Sequence, residues 1–399
     1  MSDLFELSPF DPAAERRVVI IADWLPPDFG AVGQYMQMRA RSFAQRGHSV
    51  TLVGLSSTAS SAVHEQRGYG RLTEIRLQTS PVPRGSLFVR LLWTVKANLR
   101  LVWAAFGPLR AADGILFTGS PPFLVHLLVP FRFLWRGRLV YRITDFHPEC
   151  LMAARARPSR ALSALQVLTN FWRRRVDRFE VLGEDQMRRL RDDAGIPAQR
   201  IALVRDGSPV AFTEQDPEVP RPAELGDACV LLYSGNYGIA HEVETFVEGY
   251  RLHHQRGTGR VRLWLSATGS GAEEVVDRLS RLALPFHRSR PVPLECLSGL
   301  LKAPDAHLVV LKDAFVGFVM PSKIYACMAS GKPLVFVGSA NSDIDLLARA
   351  ANAPYWQVSC GDTDGVALAL EALADRCGHS GRPSVGAKAE RNAQNHNCI

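Results

Sequence analysis

Along the 399 residues, short unbroken apolar runs alternate with longer stretches in which apolar side chains recur every third or fourth position. An unbroken run bounded by Gly or Pro marks a strand buried on both faces of a parallel sheet, and the 3.6-residue recurrence marks a helix packed on it. Residues 17–24 (Arg-Val-Val-Ile-Ile-Ala-Asp-Trp) are the first such run. The loop Leu25-Pro-Pro-Asp-Phe-Gly-Ala-Val-Gly33, a helix over 34–45, the turn Gly47-His48 and a strand over 49–55 complete a βαβ unit. Further strands are predicted at 71–78, from 114, at 138–144 and from 201. In the second half they are predicted from 228, at 261–268, 286–290, 306–311 and 334–337, with helices from about His241, near Asp343 and over 365–375. Between the halves, residues 209–227 hold Pro209, Pro217, Pro220 and Pro222 without an apolar period, which predicts a linker. The fold expected is α/β: two Rossmann-like, doubly wound parallel-sheet domains, 1–208 and 228–378, facing across a cleft, with 379–399 as a C-terminal tail.

Composition narrows the class. With 47% hydrophobic and 22% charged residues, the chain is that of a soluble globular protein. The formal charge of +8 lies in the first half, where residues 1–208 hold 29 Lys+Arg against 18 Asp+Glu and residues 209–399 hold 18 against 21. A basic half suits nucleic acid, anionic lipid or phosphorylated ligands. No nucleic-acid-binding signature accompanies it, so nucleic acid is the least supported partner. Seven cysteines without a CxxC pair suit a reducing, cytoplasmic setting and argue against a disulfide framework and structural zinc. The opening Met-Ser-Asp-Leu-Phe-Glu-Leu is acidic and is not read as a signal peptide. The most apolar window, 114–135, is broken by Gly119, Pro121, Pro122 and Pro130, so it reads as strand, turn and helix rather than a membrane span.

Residues 84–110 carry Leu87, Leu91, Val95, Leu99, Val102 and Phe106 as one stripe, widened by Phe88, Leu92 and Trp103 and punctuated by Arg84, Arg90, Lys96 and Arg100. Such a helix either packs its stripe on the core or lies on an anionic membrane surface. The basic-aromatic segments 130–138 and 171–175 favour the membrane, which predicts a peripheral position on the inner face of the plasma membrane.

Candidate chemistry clusters where predicted strands end, the place at which parallel sheets bind ligands. Gly30 and Gly33 follow the first strand. Asp145-Phe-His-Pro-Glu149 follows the strand over 138–144, and Asp145 and His147 are groups suited to binding sugar hydroxyls or moving a proton. Ser234-Gly235-Asn236-Tyr-Gly238-Ile-Ala-His241 closes the strand from 228, and glycines there admit close approach of backbone N–H groups to phosphate. Gly317-Phe-Val-Met-Pro-Ser-Lys-Ile-Tyr-Ala-Cys-Met-Ala-Ser-Gly-Lys-Pro333 follows the strand over 306–311. Pro321 opens its helix, Lys323 adds a full charge and Gly331 supplies the C-cap. Arg288 lies on a short strand. Gly269-Ser-Gly271 is a plain turn, and Asp343-Ile-Asp345 beside Ser342 is a capped helix start rather than a metal site.

These motifs resemble glycosyltransferases of the GT-B fold, within the large retaining family 4, of the bacterial exopolysaccharide, capsule and O-antigen type. The resemblance spans roughly residues 17–373 and departs from the family at Ala326, where Glu is usual and commonly holds the ribose hydroxyls. It implies donor binding by Ser234, Gly235, Asn236, Gly238, His241, Arg288, Pro321, Ser322, Lys323 and Ile324. It also implies an acceptor and phosphate loop at Gly30 and Gly33, with Lys323, His147 and Asp145 as catalytic residues. The donor would be a nucleotide diphosphate sugar and the acceptor a saccharide, lipid-linked in surface polysaccharide synthesis. Transfer would retain configuration and need no metal or other cofactor. Residues 387–395 would form a helix crossing back to the first domain. The alternatives are a catalytically silent partner of the same fold, which Ala326 favours, and a nucleotide-sugar epimerase or hydrolase.

Overall fold

A computed structural model describes residues 17–379, except residue 29, residues 83–86 and residues 156 and 158. The chain divides into two compact units: residues up to Asp206 together with Gly317–Met320, and Gly207–Val316 together with the residues from Pro321 onward. The long motif read from the sequence is thus split at Pro321.

The first unit runs β1 (Arg17–Trp24), α1 (Ala31–Gln45), β2 (Ser49–Ser56), β3 (Ser61–Arg67), β4 (Gly70–Gln78), α2 (Leu87–Ala111), β5 (Gly114–Thr118), α3 (Val125–Leu128), β6 (Arg138–Ile143), α4 (Glu149–Ala153), α5 (Arg160–Arg173), β7 (Arg178–Val181), α6 (Glu184–Asp192) and β8 (Ile201–Leu203). Its sheet has the order β3-β4-β2-β1-β5-β6-β7-β8. Alternate residues of β1 explain the doubly wound layering. Val18 and Ile20 pack with Met36, Ala40 and Phe43 of α1, whereas Val19 and Ile21 pack with Leu101 and Ala105 of α2 on the other face. One strand departs from the expected parallel sheet: β3 pairs antiparallel with β4. Its residues, Ser-Ala-Val-His-Glu-Gln-Arg, are largely exposed, so backbone pairing rather than an apolar run holds it at the edge.

The stripe read in α2 faces the core only in its last part, where Val102 and Phe106 pack against it. The buried positions are Thr94, Ala97, Asn98, Leu101, Ala105 and Leu109, mostly small, while Leu91, Val95 and Leu99 face outward with Phe88, Leu92 and Trp103. Arg84 lies outside the described residues.

The second unit runs β9 (Cys229–Asn236), α7 (Glu244–Arg256), β10 (Val261–Thr268), α8 (Ser270–Arg281), β11 (Phe286–Ser289), α9 (Leu297–Lys302), β12 (Ala306–Val310), α10 (Lys323–Ala329), β13 (Leu334–Val337), α11 (Asp343–Ala350), β14 (Tyr355–Val358) and α12 (Thr363–His379). Its sheet has the order β11-β10-β9-β12-β13-β14, and every pairing in it is parallel. The proline-rich stretch read as a linker is packed onto this unit. Val210, Phe212 and Val219 join Leu300 and Leu301 in one apolar cluster, and Arg221 pairs with Asp305. A Cβ on Gly299 would lie 1.9 Å from the Pro217 carbonyl oxygen, so α9 accepts this segment only through a glycine. Cys229 and Cys377 form a disulfide with Cα atoms 5.9 Å apart, against the expectation from cysteine spacing. They are 148 residues apart and meet only because α12 packs back along β9. The proposed 387–395 helix lies outside the described residues. Among those described, no helix is long and apolar enough to cross a membrane.

Candidate active site

In the second unit β9 ends in Ser234-Gly235-Asn236, with Gly235 at φ +103, a backbone region L side chains avoid. The amides beyond it are largely committed. Tyr237 N–H donates to the Thr268 carbonyl at 2.7 Å and Gly238 N–H to His241 Nδ1 at 2.9 Å. The expected helix start at 239–241 is displaced to Glu244: His241 binds back to the loop, and Glu242 Oε1 accepts from Thr245 N–H in the first turn of α7 at 2.9 Å. His241 is buried, and burial and then the Lys323 charge push its pKa down to about 3. With Nδ1 accepting, its proton sits on Nε2.

The helix α10 begins at Lys323 with Ser322 as N-cap, two residues later than the expected start at Pro321, and Gly331 closes it at φ +69 as read from the sequence. Ile324 is buried in the core. The half-buried Lys323 places Nζ 3.3 Å from the centre of the Tyr233 ring and donates to the Asn236 carbonyl at 3.5 Å. Desolvation lowers its pKa to about 7. The PSK loop and the Ser-Gly-Asn loop are thereby brought together. Lys312, missed in the sequence, joins them: its N–H donates to the Ala240 carbonyl at 2.9 Å and its charge acts on His241. Arg288 is engaged elsewhere, paired with Glu273 on the surface. Ala326 is buried in an apolar cluster with Leu232 and Trp264.

In the first unit the neighbouring strands β1, β5 and β6 deliver Asp23, Ser120 and Asp145 to one edge of the sheet. Ser120 Oγ donates to Asp23 Oδ2 at 2.8 Å. Burial raises the Asp23 carboxyl to about 7, the Ser120 bond offsetting part of that and the Asp145 charge adding to it. Burial likewise raises Asp145 to about 6 and lowers His147 to about 4. Glu149 is taken by the buried Arg173, which also donates to the His147 carbonyl at 3.0 Å. Gly30 is the N-cap of α1, and a Cβ on Gly33 would lie 1.8 Å from the Trp24 carbonyl oxygen. These glycines let α1 touch the end of β1. Asp23 and Ser120 were not singled out in the sequence, although a lone carboxylate closing an apolar parallel strand was a usable signal. At Asp343-Ile-Asp345, Ser342 Oγ accepts from Asp345 N–H and Asp345 binds Arg349 and Tyr355, which is capping and packing.

Two parallel α/β units with ligand-type loops at their strand ends define the GT-B class. Solved structures with this fold include an α,α-trehalose-phosphate synthase (UDP-forming) from Burkholderia vietnamiensis, at TM-score 0.60 and 12% identity over 91% of this chain and 94% of that one. WaaG, a glycosyltransferase involved in lipopolysaccharide biosynthesis, matches at TM-score 0.58 and 13% identity over 91% and 94%. Anabaena HepE, in complex with UDP and glucose, matches at 0.56 and 12% over 92% and 90%. No protein-family profile matches the chain. Its sequence is 25% identical over 295 residues to the probable glycosyltransferase WbjE of Pseudomonas aeruginosa, 71% of this chain and 69% of that protein. The chain is a glycosyltransferase of the GT-B fold.

Proposed function

We propose that the protein transfers a sugar from a nucleotide diphosphate sugar to a hydroxyl acceptor, with retention and without a metal ion. The observation that carries this reading is the Lys323 amine, held between Tyr233 and the Asn236 carbonyl where the two glycine-bearing loops of the second unit meet. A diphosphate arriving there would restore the proton to a group that burial has brought near neutrality. The resulting ammonium would oppose charge growing on the leaving group, an effect worth a few kcal/mol of barrier. HepE, which shares the fold, binds UDP and glucose. In the first unit, burial raises the proton affinity of both Asp23 and Asp145 toward the neutral range, so either carboxyl can exchange a proton with an acceptor hydroxyl there.

The acceptor in this reading is a lipid-linked saccharide. Trp103 and Phe88 on α2 are 82% and 67% exposed, and Phe133 and Val167 beside α3 and on α5 are 80% and 72% exposed. Arg90, Lys96, Arg136 and Arg175 lie among them at the surface. Apolar side chains interleaved with cations suit an anionic bilayer surface. The test is thermal stabilisation by a panel of nucleotide sugars, followed by nucleotide release with and without a lipid-linked acceptor. Absence of stabilisation by every member overturns the reading, and equal release without acceptor points to a hydrolase or epimerase instead.

A further inference from the structure

We propose that Tyr233 is the positioning residue for Lys323, its ring seating the ammonium and its hydroxyl fixing the Asn236 carbonyl to which that ammonium donates. This rests on the reading of Lys323 as the partner of the donor diphosphate. Tyr233 is completely buried in β9, and Tyr237 stacks on it at 4.2 Å, so the ring has no freedom to turn. Lys323 Nζ stands 3.3 Å from its centroid, and the Tyr233 hydroxyl donates at 2.9 Å to the Asn236 carbonyl that also accepts from Lys323. One side chain therefore sets both things the amine touches.

The groups around the amine from every neighbouring element support this assignment. Tyr233 and Tyr237 are held protonated far above neutrality by burial, Cys327 on α10 is pushed up to about 12, and His241 is neutral, held down at about 3. Lys312, beyond β12, contributes its charge through His241. Of Tyr233, Tyr237, His241, Cys327 and Lys323, only Lys323 changes charge between pH 5 and 9. Burial drives it toward the neutral amine, while the negative face of the ring favours the ammonium, an attraction of about one pH unit for a desolvated pair.

The experiment is calorimetric binding of UDP to the full chain from pH 5.5 to 9, in wild type, Tyr233→Phe, Tyr233→trifluorophenylalanine and Lys323→Met. Fluorination keeps the ring's shape and removes its negative face, so folding is not at issue. Tyr233→Phe, which keeps the ring but frees the Asn236 carbonyl, is expected to lower the midpoint for loss of affinity by about half a pH unit, and the fluorinated ring to lower it by about one further pH unit, with about tenfold weaker binding than the Phe variant at pH 7.5. Equal midpoints for the Phe and fluorinated variants overturn the role of Tyr233. If Lys323→Met binds UDP as wild type does, or wild type binds none, the reading of Lys323 itself falls. If Lys323→Met weakens binding while fluorination changes nothing, only the Tyr233 proposal fails.

Discussion

Replacing Asp23 by Asn tests the first-unit site through folding stability. Asp23 is buried, and its carboxyl titrates at about 7 in the folded chain against a reference value of 3.8. The folded state therefore holds a proton that the unfolded state has released between those pH values. Stability from this group is complete below about pH 4 and is lost as pH rises through about 7, with a slope approaching 1.4 kcal/mol per pH unit. Over the three-unit span the limit is about 4 kcal/mol, and relaxation around an ionised buried carboxylate reduces this to about 2 kcal/mol. Asn has the same shape, still accepts from Ser120 and carries no titrating proton. The stability of Asp23→Asn minus that of wild type, from urea unfolding, should thus rise by about 2 kcal/mol between pH 4 and 8. Asp145 is present in both proteins, so its own titration largely cancels. A difference that stays flat across that range refutes the argument that burial holds a proton on Asp23.

Three further outcomes follow from the geometry. Lys323→Ala should lower turnover at least tenfold with the fold intact, checked by nucleotide release, and wild-type rates would remove Lys323 from the mechanism. Leu99→Glu combined with Trp103→Glu should reduce sedimentation with anionic vesicles at least tenfold while leaving the melting temperature nearly unchanged, since both side chains are exposed. Gly33→Ala, whose Cβ would press on the Trp24 carbonyl, should destabilise the chain by about 2 kcal/mol or more in chemical unfolding.

Parallel strands were legible because each is an apolar run that burial on both faces requires, as Arg17–Trp24 and Ala306–Val310 show. β3 was not legible: its pairing uses backbone groups, and its side chains carry no pattern. In α2 the period was right, but only Val102 and Phe106 of the stripe pack on the core, because before them small residues such as Ala97 pack closely while Leu91, Val95 and Leu99 stay outside. A periodicity argument that weights size will choose the wrong side for the first half of such a helix. The two loops of the second unit were legible as motifs, but their meeting through Tyr233 was not, since that residue sits inside an apolar run and looks like core. Asp23 was hidden in the same way, as the penultimate residue of a strand. The Cys229–Cys377 bond and the docking of 209–227 depend on tertiary closure, which no local spacing reports.

The seat of Lys323 also has a chemical consequence. An amine that has shed its proton near neutral pH is a nucleophile, whereas surface lysines remain ammonium and inert. Aldehydes or activated esters added at low dose should therefore find this side chain before the protein's exposed lysines, and a bound nucleotide should shield it, which offers a way to tag the site covalently.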